Sequence, residues 1–170
     1  MPPHCKTAVW ISDYTHLLFV SPDVGFTAAD VDQISSHAVP IVGGLVPLRN
    51  SATMVEWCGN GKDGGSFQKG TIHQVSFIGT SFLCIRRSAL EKIRSEHPEL
   101  QYANRERRRV EMAYFEETVQ DQEFLSAEML FCRRWEQLGG KLFADPNVVL
   151  KRAGRVEWPL PLQEGSPLAA

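Results

Sequence analysis

Short apolar runs alternate along the chain with polar or glycine-rich breaks, and the spacing within each run separates strands from helices. Thr15 to Val20, THLLFV, is short, apolar and bounded by turn formers, and reads as a buried strand that stops at Ser21-Pro22-Asp23. Thr27 then stands as an N-cap, Asp30 falls in the first turn, and Val31 and Ile34 lie three apart, so AADVDQISSH is predicted to be a short amphipathic helix. VPIVGGLVPLR follows as a second buried strand, broken at Gly43-Gly44. Strand, helix and strand in that order favour a parallel pair and an α/β class. Upstream, residues 7–12 (TAVWIS) read either as the end of a helix or as a short strand.

Residues 50–70 hold five glycines (59, 61, 64, 65 and 70) among polar residues, which predicts a long loop. HQVSFIGTSFLCIRR then reads as strand, Gly-Thr-Ser turn and strand, and SALEKIRSEHPEL as a helix capped by Ser88 and ended near Pro98. In LSAEMLFCRRWEQLGG, Ser126 caps a helix whose apolar side carries Leu130, Phe131, Trp135 and Leu138, with Gly139-Gly140 as its stop. KLFADPNVVL is predicted as strand, Asp-Pro turn and strand. These elements form one domain over residues 1–158, and the Pro- and Gly-rich residues 159–170 form a loose tail.

Composition narrows the class. With 170 residues, 43% hydrophobic and 22% charged residues and a net charge of -2, the chain has an ordinary globular balance and implies no polyanion partner. The run RERRRVE (105–111) carries four arginines without interleaved aromatics, the pattern of a solvated segment rather than a nucleic-acid patch. No apolar run approaches the ~18 residues that span a bilayer, and the N-terminus lacks the pattern of a signal peptide, so a cytoplasmic protein is expected. Cys5, Cys58, Cys84 and Cys132 show no CxxC or Cys/His pairing, which argues for free thiols and against a zinc site; Cys132 is expected in the core. His37 and His73 read as surface or internally satisfied side chains.

Candidate chemistry starts where the first strand ends on an acid. Asp23 is either an ordinary turn former or, since ligands of open α/β sheets lie beyond the carboxyl ends of strands, a group facing a ligand or metal. Glu128 lies in the first turn of a later helix, where the macrodipole favours an anion. In the Gly79-Thr80-Ser81 turn, Thr80 and Ser81 either contact a ligand or simply turn the chain. Trp57 either stacks on a ligand ring or packs on the core.

The strings THLLFVSPDVGFTAADV, IVGGLVPLR, FIGTSFLCIRRSALEKI and FLSAEMLFCRRWEQLGGKLFADPNVVLKRAG resemble the GT-A fold glycosyltransferases, in particular the small bacterial and viral enzymes that use nucleotide sugars. In that family an LLFxDxDxGF strand carries a metal-binding DxD motif, and an LSEDxxFCRRWxxxGG block closes the site. The resemblance spans roughly residues 15–154 and is most specific from Leu125 to Pro146. It implies a GT-A-like mixed sheet flanked by helices, a nucleotide-diphosphate sugar donor and a hydroxyl acceptor. Asp23 matches the last Asp of the DxD and would hold Mn²⁺ or Mg²⁺ against the diphosphate. Glu128 matches the Asp of the SED segment and would act as general base or position the acceptor, with Gly79, Thr80 and Ser81 beside it.

The departures define a second expectation. Ser21 stands in place of the first Asp, Ala127 in place of the Glu of SED, and Arg152 where the family has a metal-binding His. Asp23 alone is a thin ligand set for a divalent ion, whereas Arg152 would meet diphosphate as a fixed cation. Only about one short element precedes the DxD strand, so the domain is expected to be N-terminally shortened, its sheet completed by another copy or a partner chain. A catalytically inactive binding or assembly module of the same fold is the alternative reading.

Overall fold

Short apolar segments buried on both faces build the centre of the molecule. The computed structural model describes residues 13–48, 58–59 and 69–154. The expectations for residues 7–12, for Trp57 with most of the glycine-rich stretch, and for the tail lie outside the described residues. In chain order the elements are β1 (His16–Val20), β2 (Val24–Gly25), α1 (Ala28–Ser36), β3 (Ile41–Leu45), β4 (Cys58–Gly59), β5 (His73–Val75), β6 (Phe77–Ile78), β7 (Phe82–Arg86), α2 (Arg87–Glu96), β8 (Gln101–Asn104), β9 (Arg109–Met112), β10 (Thr118–Gln120), β11 (Glu123–Leu125), α3 (Ala127–Gln137), β12 (Leu142–Val149) and β13 (Lys151–Arg152).

The main sheet is mixed and five-stranded, in the order β1-β7-β3-β12-β5. β7 is antiparallel to both β1 and β3, and β12 is parallel to β3. The expected parallel pair of β1 and β3 is therefore corrected: the two strands run the same way, but β7 lies between them. β7 is apolar on both faces because helices cover both. Leu83 and Ile85 join Ile41, Ala89, Leu90, Ile93, Phe131 and Trp135 beneath α2 and α3. Phe82 and Cys84 join Val42, Ile34 and Val148 beneath α1. The result is an α/β fold with a mixed sheet flanked by helices.

Three further expectations change. The one strand expected before the Gly-Thr-Ser turn is two, β5 and β6, which pair with β12 and β4. The Gly43-Gly44 pair does not break β3. A side chain at Gly43 would run into Ile78, and one at Gly44 into Val148 at 2.8 Å, so the glycines are sites of close packing within a continuous strand. Nor is Asp145-Pro146 a turn between two strands: β12 is one strand carrying a bulge. Asp145 faces Gly44 while Val149 faces Leu45, which leaves residues 146–148 unmatched, and the proline is tolerated there because a bulge needs no ladder hydrogen bond from it.

The helix ends follow local chemistry. Thr27 and Asp30 form a capping box on α1, and the Ser126 hydroxyl accepts from the Met129 N–H at 3.3 Å on α3. α2 starts after Arg86, and Ser88 lies inside its first turn, so the expected Ser88 cap is corrected. Gly139 (φ 74°) ends α3, with the N–H groups of Gly139 and Gly140 donating to Glu136 and Trp135, a Schellman motif. Gly140 is needed for a different reason: a Cβ there would strike the Trp135 indole.

The arginine run forms the tip of the β8–β9 hairpin. The carboxylate of Glu111 accepts from the Tyr102 hydroxyl at 2.8 Å, Asn104 Nδ2 at 3.0 Å and Arg109 Nε at 3.0 Å, with Arg107 at 3.4 Å. The segment is thus partly organised by one buried acid. Those hydrogen bonds, Asn104 and Tyr102 foremost, hold the Glu111 pKa down to about 2. A native pKa below the unfolded value adds stability above the unfolded pKa, and that stability is lost as pH falls through the native one. Wild type is therefore expected to lose melting temperature between about pH 5 and pH 2 more steeply than Glu111→Gln, which scans of both proteins across that range measure; parallel curves would show that Glu111 adds nothing.

Candidate functional site

The strand directions gather the candidate residues at one edge of the sheet. β1, β3 and β12 end there, and β7, being antiparallel to its neighbours, begins there. The segments that leave that edge carry Ser21 and Asp23 after β1, Pro47 after β3, Thr80 and Ser81 before β7, and Arg152 in β13 after β12. This is the carboxyl edge at which open α/β sheets receive ligands.

Arg152 ties these segments together. Its Nη1 donates to the Pro47 carbonyl at 2.8 Å and its Nη2 to the Ser81 hydroxyl at 2.8 Å, while Nε lies 3.2 Å from Asp23 Oδ2. The Arg152 side chain is 5% exposed and that of Asp23 21%. The short ladder of β13 with β2 holds them in place: Arg152 pairs with Val24, and the Ala153 N–H donates to the Asp23 carbonyl at 2.7 Å. Ser21 completes the cluster, its hydroxyl donating to that of Ser81 at 3.1 Å and its N–H to the Ser81 carbonyl at 2.9 Å.

Glu128 reaches the same turn from the other side. The Thr80 hydroxyl donates to Glu128 Oε1 at 3.2 Å, and both residues are half-buried. Glu128 projects from the first turn of α3, where the unpaired N–H groups favour a carboxylate. α3 is itself fixed by its buried side: Phe131 stacks on Phe115 with ring centroids 4.5 Å apart, and Cys132 Sγ donates to the Ile78 carbonyl. Burial pushes the Cys132 thiol up to about 12, as suits an inert core residue. Asp23, Arg152, Ser21 and Ser81 therefore form one polar group and Thr80 with Glu128 a second, joined through the Gly79-Thr80-Ser81 turn.

A divalent ion would need several oxygen ligands. Among the described residues no three His, Cys, Asp or Glu side chains are grouped to hold a metal. Around Asp23 stand two serine hydroxyls and a guanidinium, which is itself a cation paired with the only carboxylate of that group. These residues do not fit Mn²⁺ or Mg²⁺.

Two features escaped the sequence reading. Ser21 and Ser81 pair across 60 positions, which no local pattern signals. The second is Asp145, fully buried at 0% exposure, whose carboxylate accepts from His37 Nε2 at 2.7 Å, Gln33 Nε2 at 3.2 Å, and the Asn147 backbone N–H and side-chain amide at 2.8 Å each. Burial by itself would raise the pKa of Asp145, but the His37, Asn147 and Gln33 hydrogen bonds outweigh it and hold the acid below the ordinary value. An acid amid the apolar FADPNVVL run was the available signal. His37 is, as expected, an internally satisfied histidine.

No protein-family model matches the chain, and no curated protein does. Among solved structures it is similar to the crystal structure of A197 from STIV, with a TM-score of 0.45 and 18% identity over 88% of this chain and 62% of that one. The chain thus spans about three fifths of that protein's length, and nothing about function transfers at this degree of similarity. No described helix is long and apolar enough to cross a membrane.

Proposed function

We propose that the chain is a glycosyltransferase-like domain of GT-A type that takes a sugar from a nucleotide-diphosphate donor and passes it to a hydroxyl acceptor. The observation that carries this reading is at the carboxyl edge of the sheet, where Ser81 and Thr80 of one turn hold a cationic end, Arg152 with Asp23, and an acidic end, Glu128. Transfer needs both ends. The acceptor oxygen attacks the anomeric carbon while its proton passes to the Glu128 carboxylate, and the bond to the diphosphate breaks with its electron pair leaving on the phosphate oxygen. The departing negative charge requires a positive partner, which here is the Arg152 guanidinium. Thr80 orients Glu128, and Gly79 and Ser81 shape the turn between the two ends.

A non-catalytic module is the second reading. It is favoured by the way Arg152 and Thr80 already satisfy Asp23, Ser81 and Glu128 within the chain.

Calorimetric titration of the whole chain with UDP and GDP separates the two. The transferase reading expects saturable binding of at least one nucleotide with a micromolar Kd, and release of that nucleotide from its sugar conjugate when hydroxyl acceptors are supplied. Absence of binding to both nucleotides, with and without Mn²⁺, overturns it in favour of the non-catalytic module.

A further inference from the structure

Resting on the donor-site reading above, the geometry points to a metal-free pyrophosphate site at Arg152 in which Asp23 is an internal stand-in for the phosphate: the donor's phosphate oxygens bind the guanidinium by exchanging with the Asp23 carboxylate.

Each part of this exchange has a counterpart in the contacts. The guanidinium is anchored independently of Asp23, because the Pro47 carbonyl and the Ser81 hydroxyl accept from its two terminal nitrogens, both at 2.8 Å. Its backbone is set by the pairing of β13 with β2. Removing the carboxylate would therefore leave the cation where it stands. Asp23 is the more accessible partner, with 21% of its side chain exposed against 5% for Arg152, so an anion arriving from solvent meets the replaceable group first. Carboxylate and phosphate oxygens accept from a guanidinium with the same geometry, so one can substitute for the other on the same donors. The Ser81 hydroxyl, which accepts from Ser21 at 3.1 Å and from Arg152 at 2.8 Å, keeps its own hydrogen as a neutral donor suited to phosphate.

This arrangement reverses the role of Asp23. In a DxD site the acid recruits the metal that binds the diphosphate, so removing its charge weakens donor binding. Here the acid competes with the diphosphate for one cation, so removing its charge strengthens binding. The sign of one substitution therefore distinguishes the two mechanisms. A divalent ion placed against Asp23 would also have to displace the guanidinium and bear its positive charge nearby, so metal is not expected to help.

The test is calorimetric titration of inorganic pyrophosphate into the full chain, in EDTA and in Mn²⁺, for wild type, Asp23→Asn and Arg152→Lys. Expected are binding by wild type in EDTA, no tightening by Mn²⁺ beyond the metal's own affinity for pyrophosphate, affinity raised about tenfold or more in Asp23→Asn, and affinity lowered in Arg152→Lys, which keeps the charge but loses the fork. Binding that needs Mn²⁺ and vanishes in Asp23→Asn overturns the inference while leaving the donor site standing. Binding in EDTA that Asp23→Asn leaves unchanged or weakens also overturns it. No binding by wild type or Asp23→Asn under either condition removes the donor-site reading as well. The wild-type and Asp23→Asn comparison decides the matter even where Arg152→Lys fails to fold, since asparagine is isosteric and still offers the guanidinium an acceptor oxygen.

Discussion

Replacing Asp145 by alanine is expected to cost about 3 kcal/mol, because it removes a fully buried carboxylate and leaves half-buried His37 and exposed Gln33 and Asn147 without their acceptor. Four donors converge on this carboxylate from α1 and from the bulge of β12: His37, Gln33 and both N–H groups of Asn147. None is replaced when the side chain becomes a methyl group. For a domain of this length the loss corresponds to a fall in melting temperature of roughly 6–12 °C. Asp145→Asn keeps the shape and one acceptor oxygen, so it should cost less than half as much. Thermal unfolding of the three proteins checks the order, and an alanine variant within 1 °C of wild type would show that the network contributes nothing net. The effect should also reach the candidate site, since the bulge that Asp145 and Asn147 brace sets where β12 resumes its pairing, with the Leu150 N–H on the Leu45 carbonyl, two residues before Arg152.

Phe131→Ala is expected to be at least as severe, about 4 kcal/mol, from lost burial and the cavity left behind. Phe131 is 1% exposed and lies between α3 and the sheet. Its ring stacks on Phe115 at 17°, and Phe115 meets Phe19 of β1 edge-on at 5.1 Å. Truncation removes the α3 end of a three-ring chain from β1 to α3 and leaves Phe115 without its stacking partner. Phe131→Leu fills much of the space and should cost about 1–2 kcal/mol. Guanidinium denaturation gives both values. An alanine variant no worse than the leucine variant would mean that the surroundings close over the cavity. Because α3 carries Glu128, the alanine variant is also expected to show faster hydrogen exchange in the first turn of α3.

How much of this was legible from sequence depended on whether the cause was local. The caps at Thr27 and Ser126, the stop at Gly139, and the helices they bound are decided within a few residues, and the chain states them directly. The α/β class follows from the order of strand and helix patterns, whereas the mixed sheet was implied only by the resemblance. Strand partners are decided elsewhere. Nothing in LLFV says that it lies against FLCIR rather than IVGGL, because all three are apolar on both faces once helices cover the sheet. Glycine misled twice for one reason: Gly43 and Gly44 are present for what touches them, not for a turn. The same holds at the candidate site. Asp23 and Glu128 could be proposed from their positions at a strand end and a helix start, but that Arg152 is bound to Asp23 rather than poised beside it requires three distant segments to be seen together.

The insertion of β7 between β1 and β3 has a kinetic consequence. Among the described residues β1 finds its one partner in the main sheet 62 to 70 positions downstream, from Val20 opposite Phe82 to His16 opposite Arg86, and β3 depends on β7 and on β12, whose pairing begins with Phe143 opposite Val42. The hairpins β8–β9 and β10–β11 can close early, but the central sheet must wait for loop closures of that span, each with its entropic cost before any contact rewards it. Refolding is therefore expected in the slower, millisecond-to-second range of topologies dominated by non-local pairing, with β7 as the strand on which the sheet assembles.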